Sequence, residues 1–301
     1  MLWLPFAVSS YFLYAICALI DKYLLKSAIS SPKVYCFYVG LLGILALFLI
    51  PLGFSIPQPS FIIISLLAGA ISIFSLWRFY VALKLFDASI ILPAIGGILP
   101  VITFFAVYFI FQEKEAIEIE KVSAFILLVL GSILISLEEK KSITIKSLKY
   151  SFAVAILFSA ALVLSKFIYL KVPFWSGFIW MRIGAAGGAL LFLFSKEVRE
   201  EIFQKKVSFK KETMGLFLSN QALAAAAFIL QNWAVFLAPL ISLAIINALE
   251  GTKYFFLLII TIVLSVRYKN ILRGEISREN LLQKLVSILL ISVGLVILAF
   301  K

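Results

Sequence analysis

The feature that most constrains this chain is a series of ten apolar stretches, each long enough to cross a bilayer as a helix. They run over 2–25, 33–54, 60–84, 90–111, 120–137, 148–170, 174–195, 213–237, 240–266 and 281–300. A helix needs about 20 mostly apolar residues to cross roughly 30 Å of hydrocarbon. Barrel strands do not fit, because they alternate apolar and polar residues over about ten positions and these stretches are continuously apolar. The gaps are short. Ser55-Ile-Pro-Gln-Pro59 reads as a turn, since proline lacks a backbone donor and restricts its predecessor. Lys171-Val172-Pro173 and Ala238-Pro239 are similar breaks. Charged segments at Glu113–Lys121, Glu138–Lys149, Lys196–Glu212 and Arg267–Lys284 belong in water and end the neighbouring stretches. The expected fold is an all-α integral membrane protein with ten transmembrane helices.

Composition enters by exclusion. The chain is 63% hydrophobic and 14% charged, against roughly 45–50% and about 25% in soluble domains. A soluble fold of this length could not hide so much apolar surface, so the lipid bilayer is the expected surrounding. The net charge of +12 does not point to nucleic acid. The basic residues sit mostly in short loops, where they orient the protein and meet anionic headgroups, and no basic stripe with interleaved stacking aromatics is present. Cys17 and Cys36 form no disulfide framework and no metal-ligand spacing. Histidine is absent, which removes the commonest general base and metal ligand. With no carboxylate cluster in the apolar stretches either, an enzyme is not expected. No phosphate-binding Gly-x-x-x-x-Gly-Lys-Ser/Thr string implies ATP. No cofactor is expected, while coupling to a proton or another ion is left open. A cleavable signal peptide is not expected, because the apolar run begins at Leu2 and the first basic residue is Lys22.

The two halves of the chain look related. Lys22 and Lys166 are 144 residues apart, as are Gly40 and Gly184, and Gly43 and Gly187. Phe104-Phe105 and Phe255-Phe256 are 151 apart, and Gly131 and Gly294 are 163 apart. The offset only grows along the chain, as loop insertions in the second half would make it. The predicted units are therefore 1–139 and 148–301, each of five helices. Five is odd, so the two units must lie upside down relative to each other. That is the inverted-repeat plan of secondary transporters, whose sites lie at the repeat interface near mid-membrane.

Orientation follows from lysine and arginine. Alternate loops, beginning with the one joining the first two stretches, hold 18 basic residues. The opposite side holds Lys114, Lys121, Lys171 and Lys301. The positive-inside rule then predicts a multi-pass cell-membrane protein with both termini outside the cytoplasm.

Tyr80-Val-Ala-Leu-Lys84, Asp87-Ala-Ser89, Ile98-Leu-Pro100, Phe111-Gln-Glu-Lys114 and Gly131 together resemble the repeat of EamA-type transporters of the drug/metabolite transporter superfamily. Met181-Arg182, Leu249-Glu250 and Gly294 resemble it in the second half. Gly251 stands where the family usually has proline, and Tyr38 where the first half usually has arginine. The resemblance implies a ten-helix transporter of small metabolites, with export as the expected direction. It also implies cytoplasmic termini, against the charge count.

Ionisable residues within spans are expensive, about 2.5–3.5 kcal/mol on insertion scales, and mark functional sites by default. Here they are Asp21, Lys22, Arg78, Lys166, Arg182, Glu250 and Lys253. Arg182 lies about eight residues into its span, and its fork suits a carboxylate or phosphate, with a structural clamp as the other reading. Glu250 and Lys253 share a helix face and can pair. They either exchange a proton and meet substrate or simply neutralise each other. Arg78, flanked by Trp77 and Tyr80, suits a planar or anionic ligand or snorkels to the interface. Lys22 and Lys166 fit snorkelling. Asn220, Gln221, Gln231, Asn232 and Asn247 line a cavity or tie helices together. Tyr14, Tyr38, Trp180 and Trp233 are candidate cavity aromatics. Gly40, Gly43, Gly184, Gly187 and Gly188 predict close helix approach, and Gly96-Gly97 before Pro100 predicts a loosened or kinked helix.

Basic residues in the spans outnumber acidic ones, which favours a substrate with an anionic group, such as an amino acid or organic anion. The alternative is a non-transporting membrane scaffold or a flippase for lipid-linked substrates. The oligomeric state is not readable from the sequence.

Overall fold

The structure, a computed structural model, describes residues 1–27, 31–86, 88–112, 118–136, 144–204, 211–267 and 281–299. Twelve α-helices occur among the described residues: α1 Trp3–Ser27, α2 Pro32–Leu42, α3 Pro59–Leu85, α4 Ala88–Phe111, α5 Ile119–Ser136, α6 Ile145–Tyr169, α7 Phe174–Leu190, α8 Lys196–Arg199, α9 Lys211–Leu237, α10 Ser242–Ala248, α11 Glu250–Arg267 and α12 Leu281–Ala299. No strand occurs among them. Among the described residues, seven helical stretches are long and apolar enough to cross a membrane: α1, α2 with its extension, α3, α4, α6, α7 with its extension, and α9. The reason for helix is the solvent. Hydrocarbon offers the backbone no partner, so each apolar segment must satisfy its own amides and carbonyls.

Local chemistry sets the ends. Ser31 accepts from the Val34 amide, and Pro32 follows at the first helical position, so α2 begins there. Thr144 and Ser147 form a reciprocal cap at the start of α6. Beyond α2 the chain tightens into a 3-10 helix over Gly43–Leu52 and turns at Gly53, whose φ of 113° suits glycine. The turns expected at Ser55–Pro59, Lys171–Pro173 and Ala238-Pro239 are present.

Two expectations need correction. Lys196–Gln204 is helical rather than loop, as α8 followed by a π turn. Charged side chains there sit at the end of the bundle, where water satisfies them without breaking the helix. α4 is helical through Gly96-Gly97, Pro93 and Pro100, and Pro100 has no amide to donate to the Gly96 carbonyl. The two glycines let Ser132 and Ile133 of α5 approach. The break falls in the ninth stretch, where α10 ends at Ala248 and α11 restarts at Glu250. Asp87 and the segments 113–117, 137–143, 205–210 and 268–280 lie outside the described residues, together with the motif positions they carry.

Glycine contacts give the helix directions. Gly131 on α5 faces Ser287 and Ile291 on α12, and Gly294 on α12 faces Ala124 and Leu128 on α5. Numbers rise on one helix as they fall on the other, so the pair is antiparallel. Each glycine meets the residues three and seven positions before its counterpart, which is a local twofold relation. On α3 and α7, Leu66 meets Gly184 and Ala70 meets Gly188, so these two run parallel. A Cβ on Gly69 would overlap the Met181 carbonyl, and one on Gly184 the Leu66 backbone. Small residues thus permit contact that lipid does not drive. α1 runs antiparallel to α9: Tyr11 and Tyr14 meet Gln231, while Cys17 and Asp21 meet Asn220. The largest buried cluster draws on α1, α5, α6, α7, α9, α10 and α12.

Candidate functional site

Arg182 is the centre of the site. It sits within the apolar stretch Phe174–Phe194, eight residues or about 12 Å from the start of α7. Its guanidinium carbon lies 5.0 Å from the centre of the Phe228 ring on α9. A Cβ on Gly43 would come within 2.8 Å of its Nη2, so the missing side chain at Gly43 makes room for the fork. Tyr14 on α1 is its electrostatic neighbour. No hydrogen-bond acceptor and no carboxylate from the described residues reaches the guanidinium. A cation at this depth, stacked on an aromatic face with its donors unspent, has the chemistry to hold an anion.

A polar chain leads away from it. The Tyr14 hydroxyl donates to Gln231 Oε1 at 3.2 Å, and Gln231 Nε2 donates to the Tyr11 oxygen at 3.4 Å. The Tyr11 hydroxyl donates to the Ile246 carbonyl at 2.7 Å, near the end of α10. Glu250, just beyond the break, is within electrostatic reach of Tyr11. It accepts from Lys253 Nζ at 2.5 Å and from the Tyr254 hydroxyl at 3.5 Å. Both charged side chains are 16% exposed, so the pair is largely desolvated and each partner neutralises the other. Arg182, Tyr14, Gln231, Glu250 and Lys253 are thereby brought into one line across α7, α1, α9 and α11.

The other expected site residues do not join it. Arg78 is exposed on the α3 stripe that carries Leu67 and Leu85, and its guanidinium lies 4.7 Å from the Trp77 ring. That stripe faces away from the bundle, so the cavity reading of Arg78 is corrected to an outward-facing residue. Tyr38 packs beside Phe37 and is set near Glu201 at the end of the bundle. Trp180 packs against Phe54 with its indole N–H buried and unpartnered among the described residues. Asn232 accepts from the Tyr169 hydroxyl at 2.9 Å and donates to the Phe228 carbonyl, tying α6 to α9. Asn247 donates to Thr103 Oγ1 at 2.7 Å, and Thr103 donates to Ser159, tying α10 to α4 and α6. Trp233 fills an aromatic cluster with Phe174 and Phe236.

Lys166 is corrected as well. It is 4% exposed and donates to the carbonyls of Val235, Phe236 and Ala238 at 3.1, 3.1 and 2.5 Å. It caps the C-terminus of α9, where Pro239 has removed the next donor, rather than snorkelling outward. The side chain of Lys22 lies outside the described residues.

Asp21 is the residue the sequence reading undervalued. It accepts from the Tyr35 hydroxyl in a short contact, from Asn220 Nδ2 at 2.6 Å and from the Tyr80 hydroxyl at 3.4 Å. Gln221 Nε2 donates to the Tyr35 oxygen at 3.1 Å. The available signal was the set itself: one acid and two amides in stretches that meet only if α9 packs on α1. Among the described residues no group of three Cys, Asp or Glu side chains is placed to hold a metal.

No family model matches the chain, and no curated protein matches it. Solved structures share its architecture. One, described only as a "crystal structure of protein", superposes with a TM-score of 0.68 at 14% identity, over 98% of this chain and 97% of that one. At that identity the likeness concerns the fold alone. The class defined here is therefore a helical protein with several helices long and apolar enough to cross a membrane, built on an architecture that a second protein shares over nearly its whole length.

Proposed function

We propose that this chain is a secondary transporter of the EamA type, which exports small metabolites bearing an anionic group by alternating access between two inverted five-helix repeats, 1–139 and 148–301. The observation that carries the reading is Arg182: a mid-span guanidinium, stacked on Phe228, with no acceptor among the described residues. A scaffold reading leaves that unspent charge unexplained.

The helix pairing supports the repeat. α3 packs on α6 and, five spans on, α9 packs on α1. α4 packs on α6, and α11 packs on α1. α2 pairs with α7 and α5 with α12, each with its own counterpart. The antiparallel α5 and α12 and the parallel α3 and α7 fit ten alternating spans. In that scheme the line from Arg182 to Lys253 lies where the two units meet, near mid-membrane.

The test is counterflow in liposomes preloaded with amino acids or organic anions. The expected result is uptake of at least one anionic substrate by the parent and its loss in Arg182→Met. Equal uptake by both would remove Arg182 from the site. Orientation is tested separately by labelling Ser9→Cys and a cysteine placed between 196 and 204. The lysine and arginine count predicts that Ser9→Cys reacts from outside the cell.

A further inference from the structure

The contacts of Asp21 add a second centre on the same seam. Asp21 lies seven residues beyond Tyr14 on α1, about 10 Å further along the axis. Its three donors come from three helices: Tyr35 from α2, Tyr80 from α3 and Asn220 from α9. Tyr35 and Asn220 share Oδ1, while Tyr80 addresses Oδ2. Gln221 on α9 occupies an acceptor site of the Tyr35 oxygen, so the phenolic proton is directed at Asp21. Cys17 Sγ lies 3.8 Å from the Asn220 carbonyl. α9 is thus tied to α1 and α2 at this level by contacts centred on one carboxylate, with Cys17 and Gln221 adding ties of their own.

The groups facing Asp21 are Cys17 on α1, Tyr35 on α2, Tyr80 on α3 and the amide of Asn220 on α9, with Cys36 beside Tyr80 and Gln221 beside Tyr35. No cation pairs with it among the described residues. Thiols and phenols ordinarily ionise well above pH 7, and amides do not ionise. Asp21 is the acidic group of this set, and it is partly rather than fully buried.

An ionised carboxylate only accepts, and three donors suit it. A proton arriving on Oδ2 turns that oxygen into a donor, so the Tyr80 hydroxyl keeps its contact only by reversing to accept. The two bonds at Oδ1 then lose their charge assistance and roughly half their strength. We infer that Asp21 is a proton-binding site that latches α9 to α1, α2 and α3 when ionised and releases it when protonated, so that the coupling ion is a proton. This rests on the transporter reading for its purpose. The proton comes from water at the end of the bundle where α1 finishes, and it returns to water when the latch re-forms.

The experiment reads the latch without reading transport. Spin labels go on Leu85→Cys at the end of α3 and Leu218→Cys near the start of α9, both on exposed faces, with Cys17 and Cys36 replaced by serine. Pulsed EPR distances are recorded in nanodiscs between pH 5 and 8. The labelled parent is expected to show two distance populations whose ratio changes about tenfold over that range. Asp21→Asn is expected to show no pH response, and Asn220→Ala to hold the longer distance at every pH. A pH-independent distribution in the labelled parent overturns the inference, and so does a response that survives Asp21→Asn. If Asp21→Asn fails to fold, Asn220→Ala decides: a pH response retained in that variant also overturns it. A protein that moves no solute yet shows the expected response keeps the proton latch and loses the transporter reading. One that transports without the response loses the latch alone.

Discussion

Replacing Arg182 by methionine separates a binding residue from a structural clamp, because the two roles predict opposite changes in stability. A clamp would leave buried acceptors behind, and breaking such a pair costs about 3–5 kcal/mol. Here no acceptor from the described residues touches the guanidinium, so its removal orphans nothing. What disappears is the penalty of holding a cation in the span, about 2.5–3.5 kcal/mol. Against that stands the stacking on Phe228 at 5.0 Å, about 0.5–2 kcal/mol. The difference predicts a gain of about 0.5–3 kcal/mol. At roughly 2–4 °C per kcal/mol, the melting temperature in detergent should hold or rise by a few degrees. Substrate affinity should move the other way. A bidentate anion makes two charge-assisted bonds, each worth about 1.5–3 kcal/mol, so its loss predicts at least a hundredfold weaker binding. Arg182→Lys keeps the charge but not the fork and should fall between. Thermal melting by intrinsic fluorescence, alongside counterflow, measures both. A melting temperature lower by 5 °C or more would show that Arg182 holds the bundle together and would refute the reasoning.

Four further predictions follow from the packing. Lys166→Met should leave the carbonyls of Val235, Phe236 and Ala238 without their donor and cost about 2–4 kcal/mol, seen as a melting temperature several degrees lower. Glu250→Gln should destabilise by about 3–5 kcal/mol, because Lys253 is then a desolvated charge without a partner, and adding Lys253→Met should restore most of the loss in the same assay. Gly131→Val and Gly294→Val should each cost about 1–3 kcal/mol and broaden the size-exclusion peak, since each drives a side chain into the facing helix. Arg78→Leu should leave counterflow within about twofold of the parent, because the side chain faces outward.

The contrast between Arg78 and Arg182 shows how much of the site was legible. In sequence both are arginines in continuously apolar helices with aromatic neighbours. Nothing local separates them, because in a lipid-embedded helix the outward face is as apolar as the inward one. The rotation of each helix decides, and that is set by where glycines let partners approach: Gly43 opens the space Arg182 fills, while Leu67 and Leu85 share the outward stripe with Arg78. Lys166 makes the same point. Its near-terminal position suits snorkelling equally well, and only the arrival of the α9 terminus turns it into a cap. The Glu250 and Lys253 pair was more legible, because two residues three apart on one helix meet without help from tertiary packing.

The sequence by itself determined that this chain is helical and that several of its segments can cross a membrane. The reason is local: apolar runs of about 20 residues in hydrocarbon must close their hydrogen bonds internally, and proline and clustered charge end each run. It also determined which few side chains carry chemistry, since polar groups are scarce in such spans. Only the tertiary structure decided which of them meet. Arg182 comes near Tyr14 because α9, which packs on α1, also brings Phe228 to α7, and Asp21 finds Asn220 nearly 200 residues away because α1 and α9 run antiparallel. Those pairings depend on the rotation and register of whole helices, a property of contacts between segments that no single segment encodes.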